Sequence, residues 1–115
     1  MKKDPVIYLN HILESISRIK EYTEKVNKEE FLDSKLIQDA VIRNFEIIGE
    51  ATKQLDADFK NKYTFIEWKK IAGMRDKLIH DYLGVDLWAV WGVVENVVPK
   101  LEEQIIDIIS REQNA

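Results

Sequence analysis

Arg75 and His80, with Asp76 directly after the arginine and Tyr82 two positions beyond the histidine, lie in the stretch Arg-Asp-Lys-Leu-Ile-His-Asp-Tyr over residues 75–82. Arginine keeps its charge and grips phosphate oxygens through two parallel N–H groups, whereas histidine gives and takes a proton near neutral pH. Such a pair meets the minimum needs for cutting RNA without a metal ion: proton transfer at the 2′-hydroxyl and the leaving oxygen, and fixed positive charge at the phosphate. A histidine near a helix C-terminus is favoured in its charged form, which suits an acid or a phosphate binder. The spacing raises a difficulty, because positions five apart sit about 140° apart around an α-helix and do not share a face. Unwinding of the helix near His80 would relieve it, and so would two copies bringing their motifs to one cleft. Alone, the spacing fits equally an exposed arginine and a helix-end histidine with no joint role.

Other constellations offer less chemistry. His11 precedes Glu14 by three residues, but no second histidine or carboxylate cluster completes a di-metal helical site, so His11 reads as a surface or boundary residue. Glu46 and Glu50 lie one helical turn apart and read as a solvated or hydrogen-bonded pair rather than an acid and base. With no cysteine in the chain, disulfides, cysteine nucleophiles and Cys-based zinc sites are excluded. Neither a Gly-x-Gly-x-x-Gly turn nor a Walker A loop occurs, and no serine triad is visible. No cofactor and no metal are expected.

The elements that must position the motif are helical. Four glycines and two prolines in 115 residues leave long uninterrupted segments, and 45% hydrophobic with 33% charged residues describes one soluble globular domain spanning 1–115. Asp4-Pro5 is a helix start, followed by Leu9, Ile12, Leu13, Ile16, Ile19 and Val26 at helical spacing. Asn27 to Glu30 interrupts the pattern. A second helix begins between Glu29 and Ser34 and runs to about Leu55, with Asp56 to Tyr63 read as a loop. Thr64 is the expected cap of a third helix that carries the motif and stops at Gly84. Asp86 caps a last helix, which Pro99 should kink or split. Four long helices with short links predict an all-α antiparallel bundle of four to five helices. Leu87, Trp88, Val90, Trp91, Val93, Val94, Val97 and Val98 cover most of the last helix's circumference, which predicts dimerisation through a helical face.

A net charge of −4 argues against broad non-specific nucleic-acid binding. Yet Lys60, Lys62, Lys69, Lys70, Arg75 and Lys77 face only Glu67 and Asp76 between residues 60 and 80, a local basic patch able to draw phosphate toward the motif. Two lysines near the N-terminus precede no apolar run of signal-peptide length, and no stretch is long and apolar enough to span a bilayer, so a cytoplasmic location without membrane contact is expected.

Two long strings carry a resemblance. Gln38-Asp39-Ala40-Val41-Ile42-Arg43-Asn44-Phe45-Glu46-Ile47-Ile48-Gly49-Glu50-Ala51 resembles the second helix of HepT-like proteins of the HEPN superfamily of helical ribonuclease domains. The string from Trp68 to Tyr82 resembles that family's Arg-x4-His-x-Tyr signature, and Gly84 to Trp91 continues the match. The resemblance covers nearly the whole chain, with no departure from the signature. It implies the toxin half of a toxin–antitoxin pair whose antitoxin is a minimal nucleotidyltransferase of the MntA type. It also implies a homodimer whose paired motifs form a metal-independent site that cleaves RNA. By position, Arg75 and His80 would be catalytic, Asp76 supporting, and Tyr82 the tyrosine that the antitoxin modifies with AMP. The alternative is a non-catalytic helical interaction module that binds, and is modified by, a nucleotidyltransferase.

Overall fold

Helix starts in this chain are set by short polar side chains that capture otherwise unpaired backbone N–H groups. The computed structural model describes residues 3–80 and 86–114, and for 75–80 the backbone alone. Asp4 accepts from the Val6 N–H at 3.0 Å and opens α1 (Pro5–Thr23). Asn27 and Glu30 form a reciprocal capping box that opens α2 (Lys28–Asp33). Ser34, in an extended conformation, ends α2 and caps α3 (Lys35–Gln54) by accepting from the Ile37 N–H at 3.2 Å. Asp56 caps α4 (Ala57–Lys62) through the Phe59 N–H at 2.8 Å. After α5 (Trp68–His80), Asp86 accepts from Trp88 and Ala89 at 3.0 and 3.2 Å and opens α6 (Leu87–Asn96). The last helix is α7 (Val98–Gln113).

The all-α bundle is borne out, with more pieces than the expected four to five: seven helices stand among the described residues, and no strand. Each difference has a local cause. The helix expected to begin between Glu29 and Ser34 does so at the Ser34 cap, and the residues before it fold separately as α2; the Gln38 amide satisfies the end of α2 by donating to the Phe31 and Leu32 carbonyls at 2.9 and 3.0 Å. The segment read as a loop, Asp56 to Tyr63, folds as α4; six residues with one buried anchor, Phe59, are too few to display a period. Thr64 caps nothing, and α5 starts four residues later. There the Trp68 indole donates to the Tyr63 carbonyl at 2.9 Å and pins the turn between. The last helix is split rather than kinked: Pro99 falls in the first turn of α7, where its missing N–H costs no hydrogen bond. Gly84, the expected stop of the motif helix, lies outside the described residues.

α3 is the central element, packed on α1 and α5, while α7 closes against α1 and α6. Leu9, Ile12, Ile16 and Ile19 of α1 meet Val41, Phe45 and Ile48 of α3 in a core where none is more than 1% exposed. Each such side chain contributes roughly 1.5–3 kcal/mol of burial, so this seam carries much of the fold's stability. No helix among the described residues is long and apolar enough to cross a membrane.

Candidate functional site

The motif helix is held at its N-terminal end by an aromatic cluster. Phe59, Tyr63 and Trp68 are buried against one another, with ring centroids 5.1 Å (Phe59–Tyr63) and 6.3 Å (Phe59–Trp68) apart. Ile66 and Ile71 then seat the start of α5 on the core. Beyond Ile71 the helix continues through Arg75 and Asp76 to His80. The backbone is therefore helical across the whole Arg-x4-His interval, and the two positions are separated by about 140° around one axis. The helix does not unwind between Arg75 and His80. Tyr82, expected to be the modified residue, lies outside the described residues, as do the side chains of Arg75, Asp76 and His80.

Beside this helix runs a groove of about 800 Å³ between α5, α6 and α7, floored by α3. Its α5 wall includes Lys70, Gly73 and Met74, the residue directly before Arg75; its opposite wall includes Val93, Val97 and Lys100. Asp86, the cap of α6, lines it too, so the groove borders the chain on both sides of the segment carrying His80 and Tyr82. The floor is apolar and the rim carries lysines, an arrangement that admits either another helical surface or a strand of bases with its phosphates at the edge. Sequence reading singled out Lys70 but not Lys100, whose place on the rim depends on how α7 turns after the break at Val97.

The other histidine lies elsewhere. His11 is exposed, as expected, in a polar cleft of about 310 Å³ between α1 and α3, its ring edge-on to Tyr8 at 6.5 Å. Glu46 in that cleft accepts from Arg43 at 3.4 Å, a partner the sequence reading did not assign to it. On α6 Trp88 is 61% exposed, and Val97 just past its end 44%, while Val90 and Trp91 turn inward; other exposed apolar side chains are spread over α1, α3 and α7. The Lys28 ammonium stands 3.5 Å above the Trp88 ring.

Beside the aromatic cluster that holds α5, Lys62, Tyr63 and Glu112 form a polar clasp between the end of α4 and α7. Glu112 accepts from Lys62 at 2.7 Å and from the Tyr63 hydroxyl. Hydrogen bonds from Lys62 and then Tyr63 hold the Glu112 carboxyl below its ordinary pKa. Burial, followed by the Glu112 hydrogen bond, pushes the Tyr63 phenol up, and the same carboxylate raises Lys62.

The chain is an all-helical bundle with a groove beside α5, the helix whose sequence carries the Arg-x4-His spacing. The family model described as "Ribonuclease HepT-like" matches residues 12–108, and the chain belongs to that family. A Thermococcus cleftensis protein named "Probable ribonuclease HepT" is 46% identical over 102 residues, covering 89% of this chain and 93% of its own. A Caldanaerobacter subterraneus protein named "Putative RNase" is 40% identical over 111 residues, covering 96% of this chain and 99% of its own. A Methanocaldococcus jannaschii protein, "Gamma-glutamylcyclotransferase and putative RNase", is 55% identical over 109 residues; the chain spans 49% of that relative's length. No solved structure gives a significant match.

Proposed function

We propose that this protein is a metal-independent endoribonuclease, the toxin of a HepT/MntA-type pair, acting as a cytoplasmic homodimer. The observation that carries the reading is the family match across residues 12–108, which contains the whole Arg-x4-His-x-Tyr segment on α5 and beyond it. In the proposed reaction the RNA 2′-hydroxyl attacks its neighbouring phosphorus and loses its proton to a base. The P–O5′ bond breaks, the leaving oxygen gains a proton, and a 2′,3′-cyclic phosphate remains. His80 transfers protons, a contribution typically worth about 10²–10⁴-fold. Arg75 holds the non-bridging oxygens as charge builds on them, and Asp76 supports the arginine. The helical separation of Arg75 and His80 favours a composite site in which each copy supplies part of the set. Trp88, 61% exposed on α6, is the apolar surface offered to the second copy. Modification of Tyr82 with AMP by a minimal nucleotidyltransferase would place bulk and negative charge where RNA phosphate must sit, and so switch the site off.

Purified protein, made without its partner and incubated with tRNA and mRNA in EDTA, is expected to leave 2′,3′-cyclic phosphate ends, while His80→Ala leaves the RNA intact. Cleavage by the variant at the wild-type rate would remove His80 from the chemistry. Intact RNA with both proteins, together with a tight complex with the nucleotidyltransferase and an unmodified Tyr82 by mass, would favour the non-catalytic interaction module instead.

A further inference from the structure

We propose that Phe65 is a stacking platform for an unpaired base of the RNA, with Lys70 and Lys100 on the rim of the same groove placed to receive the flanking phosphates. The inference rests on the ribonuclease reading and names how that site would hold its substrate. Three aromatic residues of the α4–α5 corner, Phe59, Tyr63 and Trp68, are no more than 7% exposed, whereas Phe65 is 47% exposed. Ile66, the next residue, fills the core position of this turn at 4% exposure, so the outward ring is not needed to anchor it. The ring is nevertheless braced: Tyr63 meets it edge-on at 6.2 Å, and the Arg111 guanidinium lies 6.0 Å from its centroid. A fixed, half-exposed ring with a cation beside it is what base stacking requires.

The charge along the groove is mixed: its lining carries Lys70 and Lys100 beside Glu67 and Asp86. Glu67 pairs with Lys70 at 3.1 Å, and nearby Asp107 pairs with Arg111 at 3.0 Å and Glu112 with Lys62 at 2.7 Å. Lys100 pairs with no carboxylate among the described residues, which leaves a cation on the rim to meet a phosphate. Position supplies the last argument. Phe65 lines the same groove as Met74, and the rise of α5 from Trp68 to Arg75 is about 10 Å. A single strand stacked on Phe65 and running along the lysine rim therefore meets the motif within a few nucleotides. A duplex, whose bases are already stacked and paired, has no free face for the ring.

The test is fluorescence anisotropy with a short single-stranded RNA, 2′-O-methylated throughout so that it cannot be cut, in intact form and with one abasic nucleotide scanned along it. Phe65→Ala should weaken binding of the intact RNA about 5- to 100-fold. Phe65→Leu, which keeps apolar bulk and removes the aromatic face, should lose most of the same affinity, and Phe65→Tyr should keep it. Wild-type protein should lose affinity at one abasic position, and Phe65→Ala should be indifferent to that position. Unchanged affinity in both Phe65→Ala and Phe65→Leu would overturn the inference, as would a flat abasic scan with the wild type. Loss of the dimer on sedimentation without loss of RNA binding would likewise overturn it and assign the ring to the contact between copies. Cleavage of unmethylated RNA by the wild type, alongside any of these results, would leave the ribonuclease reading standing while the platform falls. Neither binding nor cleavage by the wild type would sink both.

Discussion

Along α1 and α3 the side chains meet so closely that Leu9, Ile16, Ile19, Val41 and Ile48 expose nothing, whereas the corner of α5, α6 and α7 encloses a groove of about 800 Å³. The first region is built of branched aliphatic residues at strict helical spacing, capped at both N-termini. The second combines apolar walls, lysines on a rim and two exposed aromatic rings, Phe65 and Trp88. Interiors pack to the density of organic crystals unless something else is meant to occupy the space. On the proposed reading the difference teaches that stability and chemistry are housed apart: the α1–α3 seam holds the fold, and the open α5 corner is where a second copy and RNA would sit. That division is breakable by experiment.

The largest effect is expected at the motif. Arg75→Ala should reduce RNA cleavage in EDTA at least about a hundredfold, since a fixed charge at the developing oxyanion is worth about 10²–10³ in rate. Its chemical denaturation midpoint should stay close to wild type. A variant that both unfolds and stops cleaving would show that the two regions are not separate. The mirror image is Ile16→Ala in the seam, which should lower unfolding free energy by about 2–5 kcal/mol in a urea titration. Below its unfolding transition it should retain the cleavage rate per folded molecule. Smaller again is Trp88→Glu on the exposed face of α6. It removes the cation–π contact with Lys28, worth about 0.5–1 kcal/mol, and costs the fold little more. Sedimentation should show dimer association weakened by about 2 kcal/mol or more, with cleavage falling in step with the dimer. An unshifted dimer would place the contact between copies on another surface.

How much of this was legible in the residues differs between the same two regions. The seam was readable because Leu9, Ile12, Ile16 and Ile19 repeat with a helical period, and the structure buries each of them. The breaks were less so. The expected start between Glu29 and Ser34 holds at Ser34, but the short α2 before it was not foreseen, because a serine that ends one helix and caps the next leaves no mark on the periodicity. α4 hid inside polar residues because a single phenylalanine anchors it. The motif was legible as types and spacing, and the family match includes it. The groove was not: its walls come from four helices, and Lys100 reaches the rim only because the chain turns at Val97. With Thr64 as the expected cap, Phe65 would fall in the first turn of the motif helix; α5 instead starts at Trp68, and the Phe65 ring is half-exposed.

The clasp of Lys62, Tyr63 and Glu112 supports the open corner from behind, and it gives the smallest and most specific prediction. Glu112→Gln keeps the shape of the side chain and removes the charge that both neighbours donate to, so it should destabilise the fold by about 1–2 kcal/mol near neutral pH. The Glu112 carboxyl is held below its ordinary pKa, so its contribution is complete above the unfolded value of about 4.3 and disappears as pH falls through the lower folded one. Tyr63 and Lys62 are raised, so their share is complete below about pH 10 and disappears as pH climbs through their higher folded values. The stability difference between wild type and Glu112→Gln should therefore be level from about pH 5 to about pH 9 and shrink on either side. A difference that instead changes steadily through neutrality would mean that another titrating group controls the clasp. Because Arg111 sits beside Glu112 and against Phe65, the same variant should leave the RNA cleavage rate unchanged while the α7 end stays helical. A rate that falls together with RNA affinity would show that the clasp sets the position of the Phe65 ring.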